Sequence, residues 1–141
     1  MNRATKKILV IEDDPKISTA LGIRLAAAGY EVLKAEEGFA GLKMALEHRP
    51  DLVLMDIWMP VGMGFSVAQR LRSLGLNRIP IIFITASKLK GLRATAKRLG
   101  AAAFFEKPYD SDELLAAVSL ALEHEQPAQA ESESDLAAAG A

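Results

Sequence analysis

The sequence predicts an α/β fold in which five parallel strands form one sheet and five helices cover both its faces. Three observations predict it. Short β-branched runs and amphipathic segments alternate five times over 141 residues, which calls for right-handed crossovers onto a parallel sheet. Several of the runs are apolar at successive positions, the pattern of strands buried on both sides. Polar residues cluster just after the strand ends, on the edge where open α/β sheets bind ligands.

The elements follow in order. Lys6-Lys7-Ile8-Leu9-Val10-Ile11 is the first strand and ends in Glu12-Asp13-Asp14. Asp14 suits the N-cap of the first helix, and Pro15 suits its first turn. Ile17, Leu21, Leu25 and Ala28 recur at helical spacing, and Gly29 ends that helix. Glu31 to Glu36 is a weaker second strand. Its acidic end, Glu36-Glu37, is assigned no role. Gly38 to His48 is the second helix, apolar at Leu42, Ala45 and Leu46, closed by Arg49-Pro50. Asp51 to Asp56 is the third strand.

Val61-Gly62-Met63-Gly64 opens the third helix, which runs to about Leu74 and ends at Gly75. Ile79 to Ile84 is the fourth strand, followed by Thr85-Ala86. Lys88 to Leu99 is the fourth helix, with Gly91 inside it at a cost of about 1 kcal/mol relative to alanine. Ala102 to Phe105 is the fifth strand, ending in Glu106-Lys107-Pro108. Asp110 and Glu113 cap the fifth helix, whose apolar face is Leu114, Val118, Ala121 and Leu122. Residues 1–125 are read as one domain. Residues 126–141, rich in Ala, Glu, Ser and Gln, are read as a disordered tail or linker.

Composition narrows the function. The chain has no cysteine, which excludes disulfides, thiol nucleophiles and cysteine metal sites. No apolar run is long enough for a membrane span, and Met1 to Lys7 is too polar for a secretory leader. A cytoplasmic location is expected. All 17 Lys and Arg precede residue 123, against 13 of the 18 acids. Between Asp56 and Glu106 there are eight bases and no acid, which a solvated helical surface explains more simply than nucleic acid binding.

In a sheet ordered 2-1-3-4-5, the first, third, fourth and fifth strands are neighbours. Glu12, Asp13, Asp56, Thr85 and Lys107 then converge on one crevice. Three carboxylates in a small crevice need a counter-cation, and oxygen ligands in an open site suit Mg²⁺. An acidic nucleophile, a metal, a hydroxyl donor and an ammonium are the groups that phosphoryl transfer to a carboxylate requires.

With those residues in place the chain resembles a response-regulator receiver domain of two-component signalling, a flavodoxin-like, CheY-like fold. The resemblance covers about residues 6–124. It rests on Ile8-Leu9-Val10-Ile11-Glu12-Asp13-Asp14-Pro15, Asp56-Ile57-Trp58-Met59-Pro60, Thr85-Ala86 and Lys107-Pro108. It implies that Asp56 accepts the phosphoryl group and that Asp13 ligates Mg²⁺ directly, with Glu12 acting mostly through water. The backbone carbonyl of Trp58 would be a further ligand. Thr85 and Lys107 would bind the phosphoryl oxygens, across a cis Lys107-Pro108 bond. Thr85 and Phe104 would form the switch. A sensor histidine kinase or a histidine phosphotransfer protein would donate. An output protein would read the face of the fourth helix, fifth strand and fifth helix, and a phosphorylation-dependent dimer is also compatible. No direct contact with nucleic acid or membrane is expected. The loop after the acceptor departs from the family's frequent Met-Asp-Gly and reads Gly62-Met63-Gly64.

Each residue alone has a plainer reading: Asp56 as a turn aspartate, Thr85 as a strand-end residue, Lys107 as a surface lysine, Phe104 as core. Their recurrence at matching strand ends favours the site. Two rivals remain. An aspartate-nucleophile phosphohydrolase would place a second acid two residues after the first, where this chain has Trp58. A receiver-like module that is never phosphorylated would have no need of the full residue set.

Overall fold

The structure is a computed structural model that describes residues 5–57 and 63–123. Within it, the apolar runs pair as β1 (Lys7–Ile11), β2 (Glu31–Ala35), β3 (Leu52–Asp56), β4 (Ile81–Thr85) and β5 (Ala103–Glu106). All neighbours are parallel, in the order β2-β1-β3-β4-β5. The central strands β1, β3 and β4 are almost wholly buried, whereas the edge strands β2 and β5 are half-exposed. That gradient explains why β2 gave the weakest signal in sequence: an edge strand needs fewer apolar residues.

The helices are α1 (Pro15–Ala27), α2 (Gly38–His48), α3 (Met63–Ser73), α4 (Leu92–Arg98) and α5 over 111–123. Strand residues alternate between two cores. Ile8, Val10, Leu52, Leu54, Ile82 and Ile84 pack with Leu21 and Leu25 of α1 and Leu114, Val118 and Leu122 of α5. Leu9, Ile11, Val53, Met55, Ile81 and Phe83 pack with Ala45 of α2, Val67, Ala68 and Leu71 of α3, and Leu92 and Ala96 of α4. A Cβ added at Gly41 would overlap the Ile11 side chain, so glycine lets α2 lie close against β1.

The caps follow the sequence. Asp14 Oδ1 accepts from Lys16 N at 2.9 Å, with Pro15 beginning α1. Asp110 Oδ1 accepts from Asp112 N at 2.7 Å and Glu113 N at 3.2 Å. Other expectations need correction. Gly91 is not inside α4: it precedes the helix at φ 87°, a left-handed conformation no helix interior accommodates. Residues 88–90 lie outside the helix too. Glu37 does have a role, because its Oε1 accepts from Phe39 N at 2.9 Å and caps α2. Leu46 is 39% exposed and Ala28 is also exposed, so neither extends its helix's buried face. The expected tail, 126–141, lies outside the described residues.

Candidate functional site

Parallel pairing sends every strand's carboxyl end to one rim. β1 continues there into Glu12 and Asp13, β3 ends on Asp56, β4 ends on Thr85, and β5 runs into Lys107. Backbone bonds fix these positions: Glu12 N donates to Ala35 O at 3.0 Å, Ile57 N to Ile84 O at 2.7 Å, and Lys107 N to Thr85 O at 2.8 Å. The Lys107-Pro108 bond is cis, as the resemblance implies.

The side chains meet. Carboxylate oxygens of Glu12, Asp13 and Asp56 lie within 4.8 Å of one another. Lys107 Nζ donates to Asp56 Oδ2 at 3.2 Å and stands 3.5 Å from Glu12 Oε1. Glu12 Oε2 accepts from Asp14 N at 3.1 Å. The remaining Asp56 oxygen, Oδ1, is buried with no hydrogen-bond partner. A buried polar atom without a partner is rare and costly, so this oxygen is poised for something from outside the chain.

Charge reflects the crowding. Burial pushes the Glu12 carboxyl up to about 7; the Asp14 amide opposes this, and the adjacent Asp56 charge reinforces it. Burial alone would lower the Lys107 ammonium, but the attraction of Asp56 and Glu12 outweighs it and the net shift is upward. Three hard carboxylate donors, one each from Glu12, Asp13 and Asp56, fit a small divalent cation of the Mg²⁺ kind.

Thr85 is fully buried, and its hydroxyl donates to Ile57 O at 2.8 Å rather than to Asp56. It reaches the rim without touching the acid. Phe104, on β5, is half-buried against the core shared by α2, α3 and α4. The Trp58 carbonyl lies outside the described residues. Two contacts were not foreseen. Lys88 Nζ donates to Lys107 O at 3.2 Å, and the Arg93 guanidinium lies over the Phe104 ring. Both join residues distant in sequence, and periodicity gives no signal for such pairs.

Known proteins resemble this chain in sequence and fold. The response regulator receiver domain family matches residues 8–119. Protein PilH of Pseudomonas aeruginosa is 35% identical over 117 residues, covering 82% of this chain and 97% of PilH. The DNA-binding dual master transcriptional regulator RpaA of a Synechocystis species is 38% identical over 118 residues, covering 79% of this chain and 47% of RpaA. The chain thus spans about half the length of RpaA and of other curated relatives such as DltR of Streptococcus agalactiae. Among solved structures, a CheY-like receiver domain protein from Methanospirillum hungatei superposes with a TM-score of 0.81 at 25% identity. It covers 88% of this chain and 98% of its own. The response regulator TrrA of Thermotoga maritima, solved with Mg²⁺ and BeF, gives 0.73 at 32% identity, covering 83% and 99%.

Proposed function

The chain belongs to the response-regulator receiver family, whose members are phosphorylation-activated signalling switches, and from that premise we propose that Asp56 is the phosphoacceptor. The observation that carries the assignment is Asp56 Oδ1, a buried carboxylate oxygen without a partner, whose twin Oδ2 is held by Lys107. Oδ1 attacks the phosphorus of a phosphohistidine. The new O–P bond forms as the donor's P–N bond breaks, and the electron pair leaves with the imidazole nitrogen. Lys107 pairs with the incoming phosphoryl oxygens. The Thr85 hydroxyl leaves Ile57 O and donates to them.

Glu12, Asp13 and Asp56 are the residues that would hold Mg²⁺, with the Trp58 carbonyl as a further ligand. When bound, the ion supplies positive charge against the phosphoryl oxygens. The donor is a sensor histidine kinase or a histidine phosphotransfer protein. The output is read by a partner protein at the face of α4, β5 and α5, with Phe104 following Thr85, and a phosphorylation-dependent dimer would use the same face. Direct nucleic acid contact forms no part of this reading. Residues 1–125 act as one receiver unit, and the setting is cytoplasmic. Among the described residues no helix is long and apolar enough to cross a membrane. Turnover of an external phosphate ester is disfavoured, because the position two after Asp56 is Trp58, which cannot act as a general acid.

Incubation with Mg²⁺ and a small acyl-phosphate donor, followed by intact mass measurement, tests the assignment. The expected result is a gain of one phosphate per chain, absent without Mg²⁺ and absent in Asp56→Asn. Continuous phosphate release at high turnover would indicate a hydrolase instead. No mass change in the wild-type chain would leave only a binding module.

A further inference from the structure

One exposed side chain of α4 reaches across to β5. Arg93, the second residue of α4, places its guanidinium carbon 4.8 Å from the centroid of the Phe104 ring. Its Nη1 also donates to the Phe104 carbonyl at 3.4 Å. Arg93 is exposed, and among the described residues no carboxylate stands within ion-pair distance of it. Among those residues its interaction with this aromatic ring is not shared with a counter-charge.

The local structure makes that tie consequential. Phe104 pairs in register with Phe83, and Thr85 lies two residues further along β4. Side chains two apart share a face of the sheet, so Phe104 and Thr85 are on the same side. The start of α4 is otherwise weakly fixed. Its N-cap is Gly91 in a left-handed conformation, with no side-chain cap bond. Leu92 is the buried anchor of the first turn.

We propose that the Arg93 guanidinium is a latch that holds the Phe104 ring beside α4 and ties the start of α4 to β5, thereby setting the resting population of the switch. This rests on the assignment of Asp56 and Thr85 given above. For the ring to follow Thr85 inward it must leave the guanidinium, and the first turn of α4 is then released by the same event. The latch therefore opposes switching by as much as the cation–π contact is worth. Removing it raises the inward population about two- to fivefold, the factor equivalent to about 0.5–1 kcal/mol at an exposed pair.

The first measurement uses the whole chain without a phosphoryl analogue. Three-bond couplings from Phe104 Cγ to its backbone nitrogen and carbonyl carbon give the side-chain rotamer populations by NMR. Arg93→Met is expected to raise the inward fraction about two- to fivefold, with Lys97→Met, which removes another exposed cation of α4, leaving it unchanged. The apparent affinity for beryllofluoride with Mg²⁺ should rise by the same factor in Arg93→Met. An unchanged or lower inward fraction in Arg93→Met overturns the latch, as does an equal rise in Lys97→Met. Failure of beryllofluoride to bind the wild-type chain would instead count against the Asp56 assignment, while the ring populations still decide the latch.

Discussion

Two aspartates bracket β3, and their surroundings differ in kind. Asp51, just before the strand, accepts from the backbone amide of Lys7 at 2.7 Å. At the same end of the sheet Arg72 donates to the carbonyls of Asn77 at 3.1 Å and Ile79 at 3.0 Å. These polar groups close loops by pairing with backbone. Asp56, at the other end, sits among two more carboxylates with one ammonium to share, and one of its oxygens is left over. The amino end is a finished piece of scaffold; the carboxyl end holds unspent interaction. A strand-end carboxylate is thus informative about function when its hydrogen bonds do not close within the chain.

The largest effect that sharpens this contrast is expected from Lys107→Ala. Lys107 is the ammonium that faces both Asp56 and Glu12. Removing a cation aimed at a transferring phosphoryl group typically slows the step about 100- to 1,000-fold. The rate of phosphate gain from an acyl-phosphate donor, followed by intact mass, should fall on that scale while the far-ultraviolet circular dichroism stays unchanged. A rate within a few-fold of wild type would mean that the ammonium serves the fold and not the transfer.

Next comes pH. Glu12 is held up to about 7 in the folded chain, against an ordinary value of 4.5. The folded state therefore binds this proton more tightly than the unfolded state does. Its contribution to stability is full below about pH 4.5 and is lost as pH rises to about 7. In chelated buffer, the urea midpoint should decline across that window because of Glu12, and Glu12→Gln should remove that part of the decline. Added Mg²⁺ should raise the midpoint above pH 7, since a ligand that binds only the folded state stabilises it. An identical pH profile in Glu12→Gln would place the strain of the rim elsewhere.

The contrast also explains what could be read from sequence. The parallel sheet followed from alternation and short links, its order 2-1-3-4-5 came with the family resemblance, and the convergence of Glu12, Asp13, Asp56 and Lys107 followed from that order. The caps at Asp14 and Asp110 were legible because a cap is a local device, set by residues two or three apart. Glu37 escaped because glutamate is an uncommon cap. Gly91 misled because its backbone angle, not its composition, decides whether it interrupts a helix or precedes one. Arg72 and Arg93 looked like members of a generic basic stretch. Their partners are a loop's carbonyls and a ring on another element, and these are defined only after folding.

Arg72 carries the smallest expected effect and tests the separation of the two ends. It belongs to α3, and it reaches past the α3–β4 connection to hold the Asn77 and Ile79 carbonyls. Its guanidinium is half-buried, and burial lowers its pKa. Arg72→Met keeps the apolar stem and deletes both donors. Hydrogen bonds from a charged group contribute about 1.5–3 kcal/mol each when buried, and one of these two is exposed. The net loss should therefore be about 1–2 kcal/mol, read as a lower urea midpoint with an unchanged slope. Phosphate uptake at Asp56 should be untouched, because among the described residues no bond links Arg72 to the rim. If uptake fell along with stability, the two ends of β3 would be energetically coupled, and the division between scaffold and site would not hold.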